Sequence, residues 1–210
     1  MTIDWNELAA THPELALLPA ALRAKARRLG FAAGETLYRR GARPGNMLYV
    51  LTGEIRLIRP SATGDTIILQ RGRHGFIAEA SMEAAVYHCD IEASEAGQLL
   101  AFPLDSFRRA LDDDPEFHRA WTRRMALEIR RLRAQNERLH LHKAADRVLH
   151  YLASDGTDGV VELNQSRKSW AAELGLSHEA LYRTLRQMAR DGRIKVSGSR
   201  IEGFGPAAAG

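Results

Sequence analysis

The stretch LGLSHEALYRTLRQMARDGRIKVSGSRIEGF, residues 174 to 204, decides the fold. Its helical part has two faces. Leu181, Leu185 and Met188 are spaced four and three apart and share one side, whereas Glu179, Arg183, Arg186 and Arg190 fall at i, i+4, i+7 and i+11 on another. One side suits packing and the other carries charge outward, as a helix laid in a DNA major groove must. Gly175 can take the left-handed conformation that ends a helix, Leu176 fills a core position, and Ser177 is placed to cap the next helix. The helix before the turn is RKSWAAEL, which follows Asn164-Gln165-Ser166. Two helices joined by a short turn containing glycine form a helix-turn-helix. Beyond it Ile194 and Val196 alternate, Ser197-Gly198-Ser199 turns, and the pattern resumes at Ile201. This spacing predicts a hairpin wing whose lysine and arginines reach phosphates.

Charge is concentrated in the same region. The 210-residue chain has a formal net charge of +4. Residues 166 to 200 hold eight basic residues (Arg167, Lys168, Arg183, Arg186, Arg190, Arg193, Lys195, Arg200) against Glu173, Glu179 and Asp191, which leaves 22 basic and 23 acidic residues elsewhere. A basic segment on an otherwise neutral body is the footprint of a polyanion partner.

Upstream, residues 31 to 104 are short apolar runs broken by glycine. MLYVLTGEIRLI and TIILQ favour strands, with Pro44-Gly45, Thr52-Gly53 and Thr63-Gly64-Asp65 as turn chemistry between them, which predicts a small barrel or jelly roll. After Pro103 glycine becomes scarce and Arg, Leu, Ala and Glu dominate, so helix is expected from Asp105 to about Ala153. A short first helix, Asp105 to Leu111, is stopped by DDDP before a long one begins. In the long helix Met125, Ile129, Leu132, Asn136 and Leu139 are spaced 4, 3, 4, 3, a heptad seam with one polar member, which suits a parallel two-stranded coiled coil. SDGTDG, residues 154 to 159, then marks the start of a second domain whose first element is VVELN.

A glycine-rich small barrel, a long helix suited to dimerisation and a C-terminal winged helix-turn-helix, in that order, resemble the Crp/Fnr family of bacterial transcription regulators. The resemblance runs from about Ala16 to Phe204 and is strongest in LYVLTGEIRLIRPSATGDTIIL and LGLSHEALYRTLRQMARDGRI. It implies an α+β fold: a cyclic nucleotide-binding-like β-barrel (jelly roll) over residues 1–115, a dimerisation helix and hinge over 116–153, and a winged helix-turn-helix over 154–210. It also implies a homodimer on a palindromic operator in double-stranded DNA, controlled by a small-molecule effector at the barrel, with RNA polymerase as a partner. His178, Glu179 and Arg183 take the places of the family's three base-reading residues, His178 departing from the common arginine. Arginine there can donate its fork to guanine O6 and N7, while a carboxylate accepts from cytosine N4. Arg167, Lys168, Ser177, Tyr182, Arg186 and Arg200 complete the expected DNA-facing set.

Cyclic nucleotide-binding members carry a glycine-glutamate pair and then an Arg-Ser that holds the cyclic phosphate. The matching stretch here is FIAEASMEAAVYHCDIEAS, in which Ala78-Glu79 keeps the carboxylate, the loop is shorter, and Tyr87-His88 lies where Arg-Ser belongs. A phosphate without that arginine loses a bidentate charged partner, so the expected effector is not cyclic AMP unless Arg71 or Arg73 substitutes from the neighbouring strand. The candidate effector set is Glu79, Ser81, Tyr87, His88, Cys89 and Leu132. The alternatives are haem, metal or redox sensing through His88 or Cys89, a weaker site among His140, His142 and His150, or no effector at all. Strand alternation sends His88 and Cys89 to opposite faces, and positions 140 and 142 do not share a helical face.

Other classes fit less well. With Cys89 as the one cysteine, neither an internal disulfide nor a four-thiolate cluster can form, so no iron–sulfur cofactor is expected and the N-terminal cysteine cluster of the family's oxygen sensors is missing. A metal-dependent cupin enzyme needs clustered histidines, and residues 31 to 104 hold only His74 and His88. No catalytic triad or phosphate-binding glycine loop is visible. The start MTIDWNEL is acidic where a signal peptide is basic, and no run of 18 apolar residues occurs, so a cytoplasmic protein with no membrane partner is expected.

Overall fold

The structure is a computed structural model that describes residues 3–61, 66–163 and 165–204. The expected turn at Thr63-Gly64-Asp65 and the residue Asn164 lie outside the described residues. Two compact units divide the chain, residues 1–122 and 123–210.

The first unit opens with helix α1 (Trp5–Thr11), in which the Asp4 carboxylate accepts from the Asn6 and Glu7 amides as a cap, and with the single turn α2 (Ala20–Arg23). Six strands follow: β1 (Arg27–Phe31), β2 (Thr36–Tyr38), β3 (Asn46–Pro60), β4 (Thr66–Gly72), β5 (Gly75–Ile77) and β6 (Asp90–Pro103). All pairings are antiparallel, in the order β1-β6-β3-β4, with β2 on β6 and β5 on β3, giving a jelly-roll sheet. Alternation along β3 and β6 sends Ile55, Leu57, Ile91 and Ala93 into one apolar core with Leu48, Val50, Ile77, Tyr87 and Cys89. Thr52-Gly53 does not separate two strands as expected. Instead β3 runs through it, and the register against β6 slips between Val50 and Ile55. Gly53 sits at φ +80, and a Cβ there would come within 2.5 Å of the Ala96 carbonyl oxygen, while one on Gly97 would come within 2.0 Å of that of Thr52. The glycine pair lets the two backbones touch at a bulge.

Helix α3 (Leu104–Asp113) ends at Asp114, whose carboxylate accepts from the Glu116 and Phe117 amides and so starts helix α4 (Pro115–His140). Phe107, Phe117 and Trp121 from these helices pack edge-on around one another and, through Phe76, onto the sheet.

The long helix stops at His140 rather than near Ala153. Helix α5 (Ala144–Asp155) begins afresh because Arg147 draws the Leu139 and Leu141 carbonyls to its guanidinium, out of the helical ladder. Strand β7 (Val160–Glu162), helices α6 (Arg167–Glu173) and α7 (His178–Arg190), and strands β8 (Ile194–Ser197) and β9 (Arg200–Gly203) complete the second unit. The three strands form a sheet in the order β7-β9-β8. Val148, Tyr151 and Leu152 of α5 share one core with Val161, Trp170, Leu181, Leu185, Met188, Ile194 and Ile201. α5, which ends on the first two residues of SDGTDG, is thus part of the body that holds the helix-turn-helix.

Candidate nucleic-acid interface and effector loop

Gly175 takes φ +64 and closes α6, and the Ser177 hydroxyl accepts from the Ala180 amide to start α7. The helix turns as its spacing predicts. Leu181, Leu185 and Met188 are buried, whereas Ser177, His178, Glu179, Tyr182, Arg183, Arg186 and Arg190 are exposed. His178 and Tyr182, one turn apart, meet edge to face with ring centroids 4.6 Å apart. That contact limits the rotamers of both rings on the outward face.

Lys168 and Arg200 are exposed, and the hairpin of β8 and β9 turns at Gly198 with φ +60. Arg167 is placed differently from its neighbours. Its guanidinium lies over the Trp170 ring at 5.5 Å and donates to the Gly198 carbonyl at 2.6 Å, and burial pulls its pKa below the ordinary guanidinium value. Arg167 therefore ties the tip of the wing to the first helix of the pair.

In the first unit Ala78 stands at φ 65, a left-handed conformation that glycine adopts freely and alanine does not. It leads into the short turn Glu79–Ser81. The Ser81 hydroxyl lies 3.3 Å from His88 Nδ1. Tyr87 is buried against Tyr38, ring centroids 5.1 Å apart, and burial pushes its phenol well above the usual value. Cys89 is buried in the same core, and burial pushes its thiol up, against the opposing pull of Arg59. Leu132 is on α4 in the second unit, 52% exposed.

Arg71 and Arg73, the two candidates to replace the family's phosphate-binding arginine, are both paired with carboxylates. Arg71 pairs across the ladder with Arg56, on the face of β3 opposite Ile55 and Leu57, and both guanidiniums reach Glu54 at 2.9 Å. Arg73 binds Glu54 at 3.0 Å and Glu95 at 2.6 Å. Sequence reading overlooked Arg59, which shares the parity of Ile55 and Leu57 and donates twice to the His88 carbonyl, at 3.2 and 3.0 Å. Continuing that alternation by one step past Leu57 finds it.

Two family models match the chain: a cyclic nucleotide-binding domain over residues 28–114 and a Crp-like helix-turn-helix domain over residues 146–203. The chain belongs to the Crp/Fnr family. It is a Crp-like transcription regulator carrying both domains. Solved structures share the fold. FixK2 from Bradyrhizobium japonicum is 22% identical with a TM-score of 0.63, the match covering 86% of this chain and 93% of that one. The c-di-GMP responsive regulator CLP of Xanthomonas campestris is 20% identical with a TM-score of 0.57, over 87% and 96%. DNR from Pseudomonas aeruginosa is 21% identical with a TM-score of 0.52, over 98% and 96%. No curated protein matches. The matched helix-turn-helix region of this Crp/Fnr chain begins at Asp146, inside α5, in line with the core that α5 shares with α7. Among the described residues no helix is long and apolar enough to cross a membrane.

Proposed function

We propose that this Crp/Fnr regulator is a homodimer that binds a palindromic operator sequence-specifically. His178, Glu179 and Arg183 read base edges, while Lys168, Ser177, Tyr182, Arg186 and Arg200 contact the backbone or flanking positions. The observation that carries this reading is the division of α7: its apolar side is buried and every base-reading candidate is exposed on the other. Dimerisation through α4 is supported by Ile129, Leu132 and Leu139, each about half exposed on a single chain although apolar. Two such recognition helices reach successive major grooves about 34–36 Å apart.

The barrel takes an effector other than cyclic AMP. Tyr87, in the place of the phosphate-binding arginine, is packed into the core, and Arg71 and Arg73 are engaged by Glu54. An effector controls DNA binding only through different affinities for two arrangements of the dimer. RNA polymerase is the expected protein partner. The reading is tested by selecting duplexes from a random library with the purified full-length protein. Recovery of a two-fold symmetric site bound by two copies supports it, and binding with no sequence preference overturns it.

A further inference from the structure

Two arginines that the sequence pattern does not single out tie the last turns of α4 to the helices around it. We propose that Arg138 and Arg147 are positioning residues for DNA reading: they fix the recognition helix on the helix that carries the seam, and so set the half-site spacing that the dimer accepts. The proposal rests on the reading of the chain as a dimer on a palindromic operator.

Arg138 has a fully buried side chain. Its Nη1 donates to Asp155 Oδ2 at 2.5 Å and to the Ser154 hydroxyl at 2.8 Å, its guanidinium lies 4.9 Å from the centre of the Tyr151 ring, and its Nη2 is 4.0 Å from Glu173 Oε1. Arg131, one heptad earlier, reaches the same Glu173 oxygen at 3.6 Å and Asp155 at 3.9 Å. Gln165 holds the other Glu173 oxygen at 2.6 Å. Asp155 ends α5 and Glu173 ends α6. One side of α4 therefore grips the two helices behind α7, while Ile129, Leu132 and Asn136 remain exposed for the seam.

Arg147 answers from the opposite direction. From α5 its Nε donates to the carbonyl of Leu141, the residue after α4, at 2.7 Å and its Nη2 to that of Leu139, in the last turn of α4, at 3.4 Å. Its Nη1 donates to the Leu174 and Gly175 carbonyls at 3.0 and 2.9 Å. Those two carbonyls belong to the turn that aims α7. A Cβ on Gly175 would come within 2.8 Å of Leu139 Cδ2 and 2.9 Å of Arg147 Nη1, so the turn is packed directly against the arginine and the end of the seam helix. Only a planar fork with several donors can gather carbonyls from three segments; a lysine ammonium is a single point. Buried arginine–carboxylate pairs add little net stability over apolar replacements, so what the double clasp supplies is a fixed geometry.

The experiment uses the full-length protein and a duplex selected by it from a random library. Affinity is measured for that site, for the same site with one and two base pairs inserted at its centre, and for a duplex holding one half-site. Arg138→Lys, Arg138→Met and Arg147→Lys are compared with the parent chain. The variants are expected to keep half-site affinity within about twofold and to lose about tenfold or more of the discrimination against wrong spacing. Variants as selective as the parent overturn the proposal. A parent indifferent to spacing overturns the palindrome reading and the proposal with it. A second measurement needs no DNA: spin labels at the exposed positions Arg133 and Ala189, in a Cys89→Ser background mixed with excess unlabelled chain, report the distance from α4 to α7. A narrow distribution that broadens in the lysine variants supports the clasp, and equal widths overturn it, including where Arg138→Met does not fold.

Discussion

Arg183 projects from α7 on the face opposite Leu181 and Leu185. If its fork reads a guanine, Arg183→Ala costs about 1–3 kcal/mol on the selected operator and much less on unrelated DNA. Equal losses on both sequences, measured by anisotropy at one salt concentration, would reduce Arg183 to a phosphate contact. Glu54 presents a second residue-scale test. Burial alone raises a carboxyl, but the Ser94 hydroxyl, Arg56, Arg71 and Arg73 together hold Glu54 below its ordinary value. Its folded pKa is thus lower than its unfolded one, so its stabilisation is present above about pH 4.3 and is lost as pH falls through the folded value. Glu54→Gln should lower stability by about 1–3 kcal/mol at pH 7, solvent screening at the partly exposed arginines keeping the loss small, and flatten the acid limb of the stability curve. Denaturation from pH 7 to pH 3 checks this, and parallel curves for the two proteins count against it. The outward face of α7 was legible from sequence because helical spacing alone separates it from the core. Glu54 was not, because apart from Arg56 its partners come from β4, from the residue after it and from β6, and their pairing with β3 depends on register between strands, which slips at the Gly53–Gly97 bulge.

At the scale of elements, α4 is apolar along Ile129, Leu132 and Leu139 and polar at Asn136. A buried amide in a two-stranded seam trades stability for register. Asn136→Leu is therefore expected to raise the thermal stability of the dimer while weakening operator binding or admitting higher oligomers. Light scattering and the same binding assay decide it, and an unchanged oligomer with unchanged DNA affinity removes Asn136 from the seam. Gly175→Ala places a Cβ against Leu139 and Arg147 at φ +64, and it should cost about 1–2 kcal/mol in thermal unfolding. A neutral result would mean the turn has room to move. Helix propensity carried the sequence expectation straight through Leu141, His142 and Lys143, since nothing in those residues breaks a helix. The break comes from Arg147, four residues beyond Lys143, whose side chain competes for the terminal carbonyls. Tertiary hydrogen bonds overrode local preference there, as they did at Thr52-Gly53.

For the whole molecule the decisive quantity is where charge sits. The segment from 166 to 200 is strongly basic while the rest of the chain is close to neutral, so the field that attracts DNA belongs to one end of the sequence. In a dimer that segment occurs twice. Each phosphate neutralised by lysine or arginine releases counterions, and the logarithm of affinity then falls linearly with the logarithm of salt concentration, with a slope of about −0.9 per contact. Lys195 and Arg200 are exposed on the wing, whereas Arg167 is spent on the Gly198 carbonyl and on Trp170. Lys195→Gln and Arg200→Gln should each make the slope shallower by about two for a dimer, one contact per protomer, with similar effects on any duplex. Arg167→Gln should act otherwise. It frees the wing tip, so it weakens binding and shifts both wing contacts together, and the triple variant with Lys195→Gln and Arg200→Gln adds little beyond the double. If Arg167→Gln instead subtracts its own contact independently of the other two, Arg167 touches phosphate directly and its contact with Gly198 gives way when DNA binds.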